Sequence, residues 1–512
     1  MLAVFLLLVL CTGTTYSQYP RICTTPEALQ SRTCCPVWKD GSVCGSKSHR
    51  GLCLPWVKPN SYISGYNDER LYWPIGYYDY TCECLGTYGG FDCGDCAYGY
   101  HGDDCQQRQK PLPRREIRDL SFVERKRFFS YLALAKITKS KDYVILYTGN
   151  RFHKNTYQFL DATIYDLASW IHYYSMKPVI ENNTFDYSVN YAHQGPAFPG
   201  WHRLLLLFSE RQIQILSGDE DFRIPYYDWS KDKNCTICDD DFVGSSDLDG
   251  NVGKLSHFSS WKVICSGFNY EDAYCRVAAH PHQMETLLRK PGADPNSNNI
   301  PTEEDVQNTL KFTAFDTEPF TRKSKQSFRN ALEGFLRPSD GETLEESMHN
   351  LFHDYIGGTM AQVPISANDP IFFLHHCFID KIFEAWILKN KAVPRKYPDN
   401  NKPGHGPREC ATPFFPCFFN EATMRPSFMF GYTYSNLQGP KETLLYSDSD
   451  QYLPVNYGGC RPGKTICEWM TKGPREDYPP LLLNLRHDTI TLSRALTEDS
   501  YDLPEDKSYG HT

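Results

Sequence analysis

The sequence lacks any block dense in lysine and arginine. Its 512 residues carry a formal net charge of -9 at neutral pH, from 53 basic and 62 acidic side chains. Binding to the phosphate backbone of DNA or RNA needs a clustered positive face, and no stretch of this sequence supplies one. Nucleic acid is therefore excluded as the expected partner.

Apolar runs long enough to cross a membrane are also missing. A bilayer span needs roughly 20 apolar residues, whereas the first apolar run covers only Leu2–Leu10 and the run Leu481–Leu483 is preceded by prolines. We therefore expect no membrane span. The opening run, followed by the small residues Thr15 and Ser17, predicts a signal peptide over residues 1–17, and hence a secreted or lumenal protein of the secretory pathway.

Cysteine, in contrast, is abundant, with 20 residues. Cys11 would leave with the signal peptide, and Cys377, inside an apolar helical run, is the natural odd residue. The others are expected to form disulfides in an oxidising compartment, although the close spacing of pairs such as Cys82 and Cys84 leaves a zinc site open as an alternative. The 18 disulfide candidates are Cys23, Cys34, Cys35, Cys44, Cys53, Cys82, Cys84, Cys93, Cys96, Cys105, Cys235, Cys238, Cys265, Cys275, Cys410, Cys417, Cys460 and Cys467.

Composition divides the rest of the chain into three parts. Residues 18–112 are rich in cysteine, glycine and tyrosine and are similar to a small EGF-like module. Residues 113–437 have the periodicity of helices, and residues 438–512 form a polar, proline-rich tail in which we identify no chemistry. The segment Lys110–Arg115 is expected to be the connector between the first two parts. The predicted N-glycosylation sites are Asn182 and Asn234.

Six histidines in the helical region fall into two groups of three. In the first group, His172 lies near the end of one helical run and His193 lies in a loop. His202 follows Pro199 at the start of a long apolar helix, where proline is tolerated because the first amides of a helix are unpaired. Earlier in this region, Ser121 and Glu124 predict a capping box that opens another helix.

The second group lies on two further predicted helices. His349 and His353 are spaced i, i+4, so one helix face presents both. A capping box formed by Thr343 and Glu346 is expected to begin their helix, and the next helix, which starts at Asp369-Pro370, carries His376. Four helices with inward-facing ligands predict a mainly α fold with a four-helix-bundle metal core.

Two groups of three histidines indicate two metal ions. Neutral imidazole suits copper, zinc, iron and nickel, and neither group contains a carboxylate or a thiolate. The charge of the metal ions then remains uncompensated until an anion binds, which suits a dicopper site for oxygen. On number and spacing alone, two zinc ions and two copper ions both remain open.

In these segments the chain resembles the animal tyrosinase family. The matching stretches are IHYYSM, HQGPAF, GWHRLLLL, GDEDFRIPYYDW, SFRNALEGF, MHNLFH and SANDPIFFLHH. The resemblance implies a tyrosinase copper-binding domain over residues 113–437, with two copper ions in a dinuclear type 3 site and dioxygen as co-substrate. It implies hydroxylation of monophenols to o-diphenols and oxidation of these to o-quinones, in melanin biosynthesis within a secreted or melanosome-like compartment. The implied metal ligands are His172, His193, His202, His349, His353 and His376.

The resemblance also implies roles for residues near the metals. Glu333 and Asn368 would hold a water that accepts the phenol proton, and His375 would stack on the substrate ring. Val363 and Ser366 would line the substrate pocket. From the residues alone, Glu333 could instead be structural and His375 a packed neighbour of a ligand.

A zinc enzyme similar to dopachrome tautomerase is the main alternative. The pair His375-His376 favours tyrosinase, because the related proteins carry an aliphatic residue before the ligand, whereas Gln194 is closer to the tautomerase version. Reversible oxygen binding, as in hemocyanins, is a weaker alternative because those carriers are large repeated or assembled chains. Asp380, one turn after His376, is expected either to orient a ligand or to pair with an arginine or lysine. Further departures from the family pattern are Gly200, where tyrosinases commonly have proline, and Tyr227, where they commonly have tryptophan.

Overall fold

The computed structural model describes residues 19–56, 77–150, 153–177, 179–181, 184–186, 189–266 and 284–437. The chain has two units, residues 1–459 and 460–512, and every described residue belongs to the first. The predicted signal peptide, the glycosylation motif at Asn182, and Cys275, Cys460 and Cys467 lie outside the described residues, as does the predicted tail.

Short strands and disulfides dominate the segment before residue 112. Its described residues contain one α-helix, α1 (Pro26–Ser31), which Thr25 caps by accepting a hydrogen bond from the amide of Ala28. Its strands are β1 (Tyr19–Pro20), β2 (Thr33–Cys34), β3 (Gly51–Pro55), β4 (Tyr80–Cys84), β5 (Tyr88–Gly89), β6 (Asp95–Cys96), β7 (Tyr100–His101) and β8 (Gln107–Arg108). The longest of these pairings is the antiparallel one between β3 and β4.

The cysteines of this segment are joined in pairs. The disulfides are Cys23–Cys34, Cys35–Cys53, Cys44–Cys82, Cys84–Cys93 and Cys96–Cys105. These bonds confirm the expected disulfides over the alternative of a zinc site. In the helical region, the described disulfides are Cys235–Cys238 and Cys410–Cys417, Cys265 is also disulfide-bonded, and Cys377 is free and buried, as predicted. The resemblance of the segment to an EGF-like module stays a prediction.

The other α-helices of the described chain lie between residues 122 and 390. They are α2 (Phe122–Ile137), α3 (Ile164–Met176), α4 (Phe198–Ser217), α5 (Glu303–Thr309), α6 (Phe328–Glu333), α7 (Met348–Ile356) and α8 (Ile371–Asn390). The predicted capping box of α2 is present, with Ser121 and Glu124 each accepting from the backbone amide of the other. In α4, Pro199 lies in the first turn, and the helix ends at Gly218, whose φ of +69° is the left-handed conformation that glycine adopts readily.

One predicted helix start is wrong. The box of Thr343 and Glu346 does not form, and α7 begins only at Met348, after Ser347. Asp340 accepts hydrogen bonds from the amides of Glu342 and Thr343 and from the hydroxyl of Thr343, so these residues close a turn. Such short-range bonds to the backbone compete with helix initiation.

The core is built around α4 and α8. Helix α4 packs against α2, α3, α6 and α8, and a 3-10 helix, Val363–Asn368, packs against α3 and α8. Most side chains of α4 and α8 are buried, which is typical of helices that lie inside a domain rather than at its surface. Within the described residues, no helix combines the length and the apolar character that crossing a membrane requires. The packing of these helices confirms the predicted helical core.

The expected connector is part of this core. Residues 112–114 form strand β9 (Leu112–Arg114), which pairs in parallel with a strand at the end of the described chain, Tyr432–Tyr434. Two antiparallel hairpins lie between these two strands in the sequence, so Tyr432–Tyr434 is numbered β14. The hairpins are β10 (Tyr143–Asn150) with β11 (His153–Leu160), and β12 (Val179–Glu181) with β13 (Thr184–Asp186). A linker exposed to solvent would leave these backbone groups to water, whereas here they are paired.

Candidate dinuclear metal centre

The fold brings each predicted histidine group together. His172 of α3, His193 of the loop before α4, and His202 of α4 place ligand atoms within 4.8 Å of one another. The second group, His349 and His353 of α7 with His376 of α8, does the same and also includes His375. All seven side chains are buried. Residues that are 204 positions apart in the chain therefore share one region of the core.

The nitrogen atoms of the second group converge. The Nε2 atom of His376 lies 3.3 Å from Nε2 of His349 and 3.4 Å from Nε2 of His353. For imidazole nitrogens bound at ~2.0 Å to one tetrahedral metal ion, neighbouring nitrogens are about 3.3 Å apart. The observed spacing therefore fits a shared metal ion.

Hydrogen bonds at the far side of the rings orient the ligands. The Nδ1 atom of His202 donates to the carbonyl oxygen of Phe198 at 2.8 Å, and Nδ1 of His353 donates to that of Met360 at 2.8 Å. A carbonyl only accepts, so the proton of each neutral ring is on Nδ1 and the lone pair of Nε2 is available to a metal. Nδ1 atoms also face amide oxygens in the pairs His193 with Asn190 and His349 with Asn350.

Burial keeps these imidazoles neutral. It lowers the pKa of His172 to about 3 and that of His353 to about 4, and the pKa values of His193, His202, His349 and His376 lie well below the ordinary value. The Nε2 atoms of His172 and His202 are buried and have no hydrogen-bond partner among the described residues. Neutral rings with free lone pairs are what copper or zinc requires, so the residues fit a pair of such ions.

Phe372 contacts both histidine groups. Its ring lies 4.1 Å from that of His376 and 4.8 Å from that of His172, measured between centroids. The rings of Phe198 and His349 are 4.8 Å apart. The histidines are thus surrounded by aromatic side chains, which restrict water at the site.

Glu333 links both histidine groups. Its Oε1 atom accepts from the amide of Gln194 at 2.5 Å, Oε2 accepts from Arg329 at 2.9 Å, and its backbone carbonyl accepts from Nδ1 of His349 at 3.2 Å. Gln194 directly follows His193 and has a φ of +59°. Burial raises the pKa of Glu333 to about 7, against the lowering effect of Arg329.

Asn368 is held by the backbone. Its Oδ1 atom accepts from the amide of Ile264 at 2.9 Å, and its Nδ2 atom donates to the carbonyl oxygens of Ile264 and Ile365. Among the described residues no hydrogen bond joins Asn368 to Glu333. In the same 3-10 helix, Ser366 is buried and donates to the carbonyl of Val363, a residue that is 42% exposed.

His375 is enclosed by aromatic rings. Its ring stacks on Phe352, with centroids 4.6 Å apart, and lies 5.1 Å from that of His349. Its Nδ1 atom accepts a hydrogen bond from Nε1 of Trp229 at 2.9 Å. Its Nε2 atom is buried and has no partner in the described part of the chain.

Two residues near His193 had no signal in the sequence. The Oδ1 atom of Asn190 accepts from the amides of Ala192 and His193, which closes the loop that carries this ligand. His405, 0% exposed, donates through Nε2 to the carbonyl of Asn190 at 2.6 Å and accepts through Nδ1 from the amide of Ala197. A lone histidine between glycines predicts nothing of this kind.

Two roles were predicted for Asp380, orienting a ligand or pairing with a basic residue, and the structure shows that it pairs with arginines. Its carboxylate accepts from Arg203 at 2.6 Å, from Arg114 at 3.1 Å, and from the hydroxyl groups of Tyr432 and Tyr434 at 2.6 Å each. Although burial acts to raise it, these partners hold the pKa of Asp380 below its ordinary value. The network joins α4, α8, β9 and β14 behind the histidines.

Comparison with known proteins agrees with this site. Residues 162–389 match the family model described as the common central domain of tyrosinase. The chain is 38% identical over 460 residues to tyrosinase of Canis lupus familiaris, covering 86% of both chains, and 39% identical over 507 residues to tyrosinase of Felis catus, covering 92% of this chain and 95% of the relative. This chain belongs to the tyrosinase family. It is also 37% identical over 426 residues to 5,6-dihydroxyindole-2-carboxylic acid oxidase of Gallus gallus, covering 78% of this chain and 79% of that protein.

Membership of the tyrosinase family confirms the predicted class, a copper oxidase of melanin synthesis. The two histidine groups fit the predicted pair of copper ions. The zinc tautomerase alternative has less support.

Two departures from the common tyrosinase pattern have structural reasons. A Cβ atom at Gly200 would lie 1.9 Å from Oγ1 of Thr423, so a larger residue would collide at this position. The hydroxyl of Tyr227 donates to Asp232 at 2.8 Å, a bond that a tryptophan there would not reproduce in the same form.

Proposed function

We propose that this tyrosinase-family enzyme binds one copper ion through His172, His193 and His202 and a second through His349, His353 and His376. With dioxygen, it would convert monophenols to o-diphenols and these to o-quinones, feeding melanin formation. The observation that carries the proposal is the pair of buried histidine groups, each with ligand atoms within 4.8 Å and with no carboxylate in either group.

The copper ions, when bound, supply the electron transfer and the activation of dioxygen. The protein supplies position and a dry environment. Nδ1 bonds such as that of His202 to Phe198 hold each ring with Nε2 toward the site. Aromatic neighbours such as Phe372 restrict access of water.

Proton removal from the substrate is assigned to Glu333. A free phenol has a pKa of about 10, so a neutral monophenol needs a base before its oxygen can bind a cation well. A carboxyl with a pKa of about 7 is matched to this task near neutral pH. We propose that Glu333 accepts the phenol proton by way of a water, and that Asn368 positions the surrounding 3-10 helix and offers the remaining lone pair of Oδ1 to the same water.

The substrate is proposed to enter along the 3-10 helix Val363–Asn368. Val363 is partly exposed and Ser366 buried, so the helix extends from the surface into the core. His375 would contact the phenol ring at the second copper. The proposed partner is a small phenol.

The proposals for the remaining domains and for the location of the protein rest on the disulfides and the sequence motifs. The residues before 113 form a disulfide-rich segment that we propose to be EGF-like, and the helices that carry the ligands would form the four-helix bundle of the core. The disulfides and the exposed Asn234 in its glycosylation motif support passage through the secretory pathway. We propose a secreted or lumenal location, including a melanosome-like organelle.

The test is oxygen uptake by protein of known metal content. Atom balance requires one dioxygen for each monophenol taken to o-quinone and water, but one dioxygen for every two catechols. We expect copper in the purified protein and both of these ratios with tyrosine and catechol. Oxygen uptake with catechol alone would refute the hydroxylase part of the proposal.

One comparison bears on the alternative function, a zinc-dependent tautomerase of the same family. The identity to the 5,6-dihydroxyindole-2-carboxylic acid oxidase of Gallus gallus, 37%, is close to the identity to the tyrosinases. That relative is named as an oxidase, so the comparison favours an oxidase over the tautomerase. Zinc in protein purified without chelator, together with dopachrome conversion that consumes no oxygen, would favour the tautomerase. Oxygen that is bound and released without turnover of phenols would favour a carrier.

A further inference from the structure

The hydrogen bond between Trp229 and His375 determines which ring nitrogen of His375 carries the proton. Both side chains are fully buried, and Nε1 of Trp229 lies 2.9 Å from Nδ1 of His375. The indole stacks on Phe352 with centroids 5.5 Å apart and contacts Phe378 edge-on at 4.9 Å, so its direction is set by packing.

An indole N–H can only donate, so Nδ1 of His375 must accept with its lone pair. This excludes a proton on Nδ1 and therefore excludes the imidazolium form as well. A neutral imidazole has one N–H, and in His375 it must be on Nε2. The ligand rings of His353 and His202 are in the opposite state, because their Nδ1 atoms donate to carbonyl oxygens.

With its proton on Nε2, His375 cannot be one of the metal ligands. A nitrogen of His375 lies within 4.8 Å of the ligand atoms of His349, His353 and His376, so distance alone would allow four ligands. However, the lone pair of Nδ1 is occupied by Trp229 and Nε2 carries a proton. Neither nitrogen has a free lone pair for a metal ion.

The same state leaves a buried donor without a protein acceptor. Nε2 of His375 has no hydrogen-bond partner among the described residues. A buried N–H that is not paired is energetically unfavourable, so it favours any ligand that brings an oxygen acceptor.

We infer that Trp229 is a positioning residue that holds His375 as the Nε2–H tautomer, which keeps His375 from binding the second metal and makes it a hydrogen-bond donor to an anionic oxygen of the ligand bound there. The inference rests on the proposed function for the identity of that ligand, a phenolate oxygen. The tautomer itself depends only on the protein.

The first measurement concerns the metal-free protein. In protein labelled with 15N-histidine, long-range 1H–15N correlation distinguishes the two tautomers, and the signals of His375 are assigned from their loss in His375→Leu. We expect the Nε2–H pattern for His375 in the wild type, and its loss in Trp229→Phe. A Nδ1–H pattern in the wild type would overturn the inference.

The second measurement concerns the metal-loaded protein. In Trp229→Phe the ring of His375 can change tautomer and compete for the metal, so we expect slower removal of the metal by chelator. We also expect benzoate, an oxygen anion that is not a phenol, to bind about tenfold more weakly, which corresponds to the loss of one hydrogen bond to a charged group. Unchanged rates and affinity would contradict the inference.

Two controls separate positioning from general damage to the core. Trp386→Phe also removes a buried indole and its hydrogen bond, here to the carbonyl of Phe312 at 2.7 Å, and should change neither measurement. In the background of His375→Leu, adding Trp229→Phe should have no further effect on chelation or benzoate binding. Effects of equal size in both backgrounds would show that Trp229 acts through packing alone and refute the inference.

If phenols are not turned over while the tautomer result holds, the proposed function fails and the positioning role of Trp229 does not.

Discussion

The imidazole rings of His202 and His376 lie parallel, with centroids 4.2 Å apart and 10° between their planes. One ring belongs to α4 and the other to α8, and each is a member of a different histidine group. The two proposed metal positions therefore depend on one helix packing. A change in how α4 meets α8 would disturb both positions at once.

Replacing His202 or His376 with alanine should lower the metal content of the protein from two copper ions toward one. Each change leaves one group with two imidazoles and leaves the other group intact. Metal analysis after dialysis measures the content. His257→Ala, at a histidine outside both groups, should retain two. Retention of two copper ions in His202→Ala would contradict the assignment of this ligand.

Glu333→Gln should reduce turnover of monophenols by about 10²–10⁴-fold, the usual contribution of a general base. Turnover of catechols should fall less, since an o-diphenol is more acidic and its oxidation does not include hydroxylation. The ratio of the two kcat values measures this effect. Glu345→Gln, an exposed glutamate, is the matched control. A proportional fall in both activities would indicate that Glu333 only holds the loop of Gln194.

Asp380→Asn should lower the free energy of unfolding by about 2–4 kcal/mol, because it removes one of the two buried carboxylates that neutralise each of Arg203 and Arg114 and leaves only Glu384 and Glu210. Urea denaturation followed by tryptophan fluorescence measures the change. Asp79→Asn removes an exposed carboxylate paired with Arg32 and should leave the midpoint nearly unchanged. Equal midpoints for the two variants would show that the network does not stabilise the core.

The metal-free protein should lose stability as pH falls below about 6.5. The folded pKa of His172 is about 3, whereas an unfolded histidine titrates near 6.5. Between these values the unfolded state binds more protons, so the free energy of unfolding increases with pH, by up to ~1.4 kcal/mol per unit for each such histidine. Urea midpoints at several pH values test this. His172→Asn should have a shallower dependence than the wild type, and an identical slope would refute this origin.

Local patterns predicted the helices and loops that carry the ligands. The spacing of His349 and His353 was sufficient to predict that both side chains lie on the same side of their helix, because residues i and i+4 of any helix lie on one face. The capping box of Ser121 and Glu124 formed, whereas that of Thr343 and Glu346 did not, because Asp340 accepts hydrogen bonds from the amide and the hydroxyl of Thr343. Short-range competition of this kind is not visible in a capping motif alone.

By itself, the sequence determined the number of histidines, their two groups and the odd Cys377, because each follows from residue type and local spacing. Only the tertiary structure decided that Asp380 pairs with Arg203 and Arg114, and that Glu333 joins Gln194 to His349. It also decided the state of His375, which lies beside a ligand in the chain. The acceptor role of its Nδ1 depends on Trp229, 146 residues earlier, and such a contact exists only after the helices have packed.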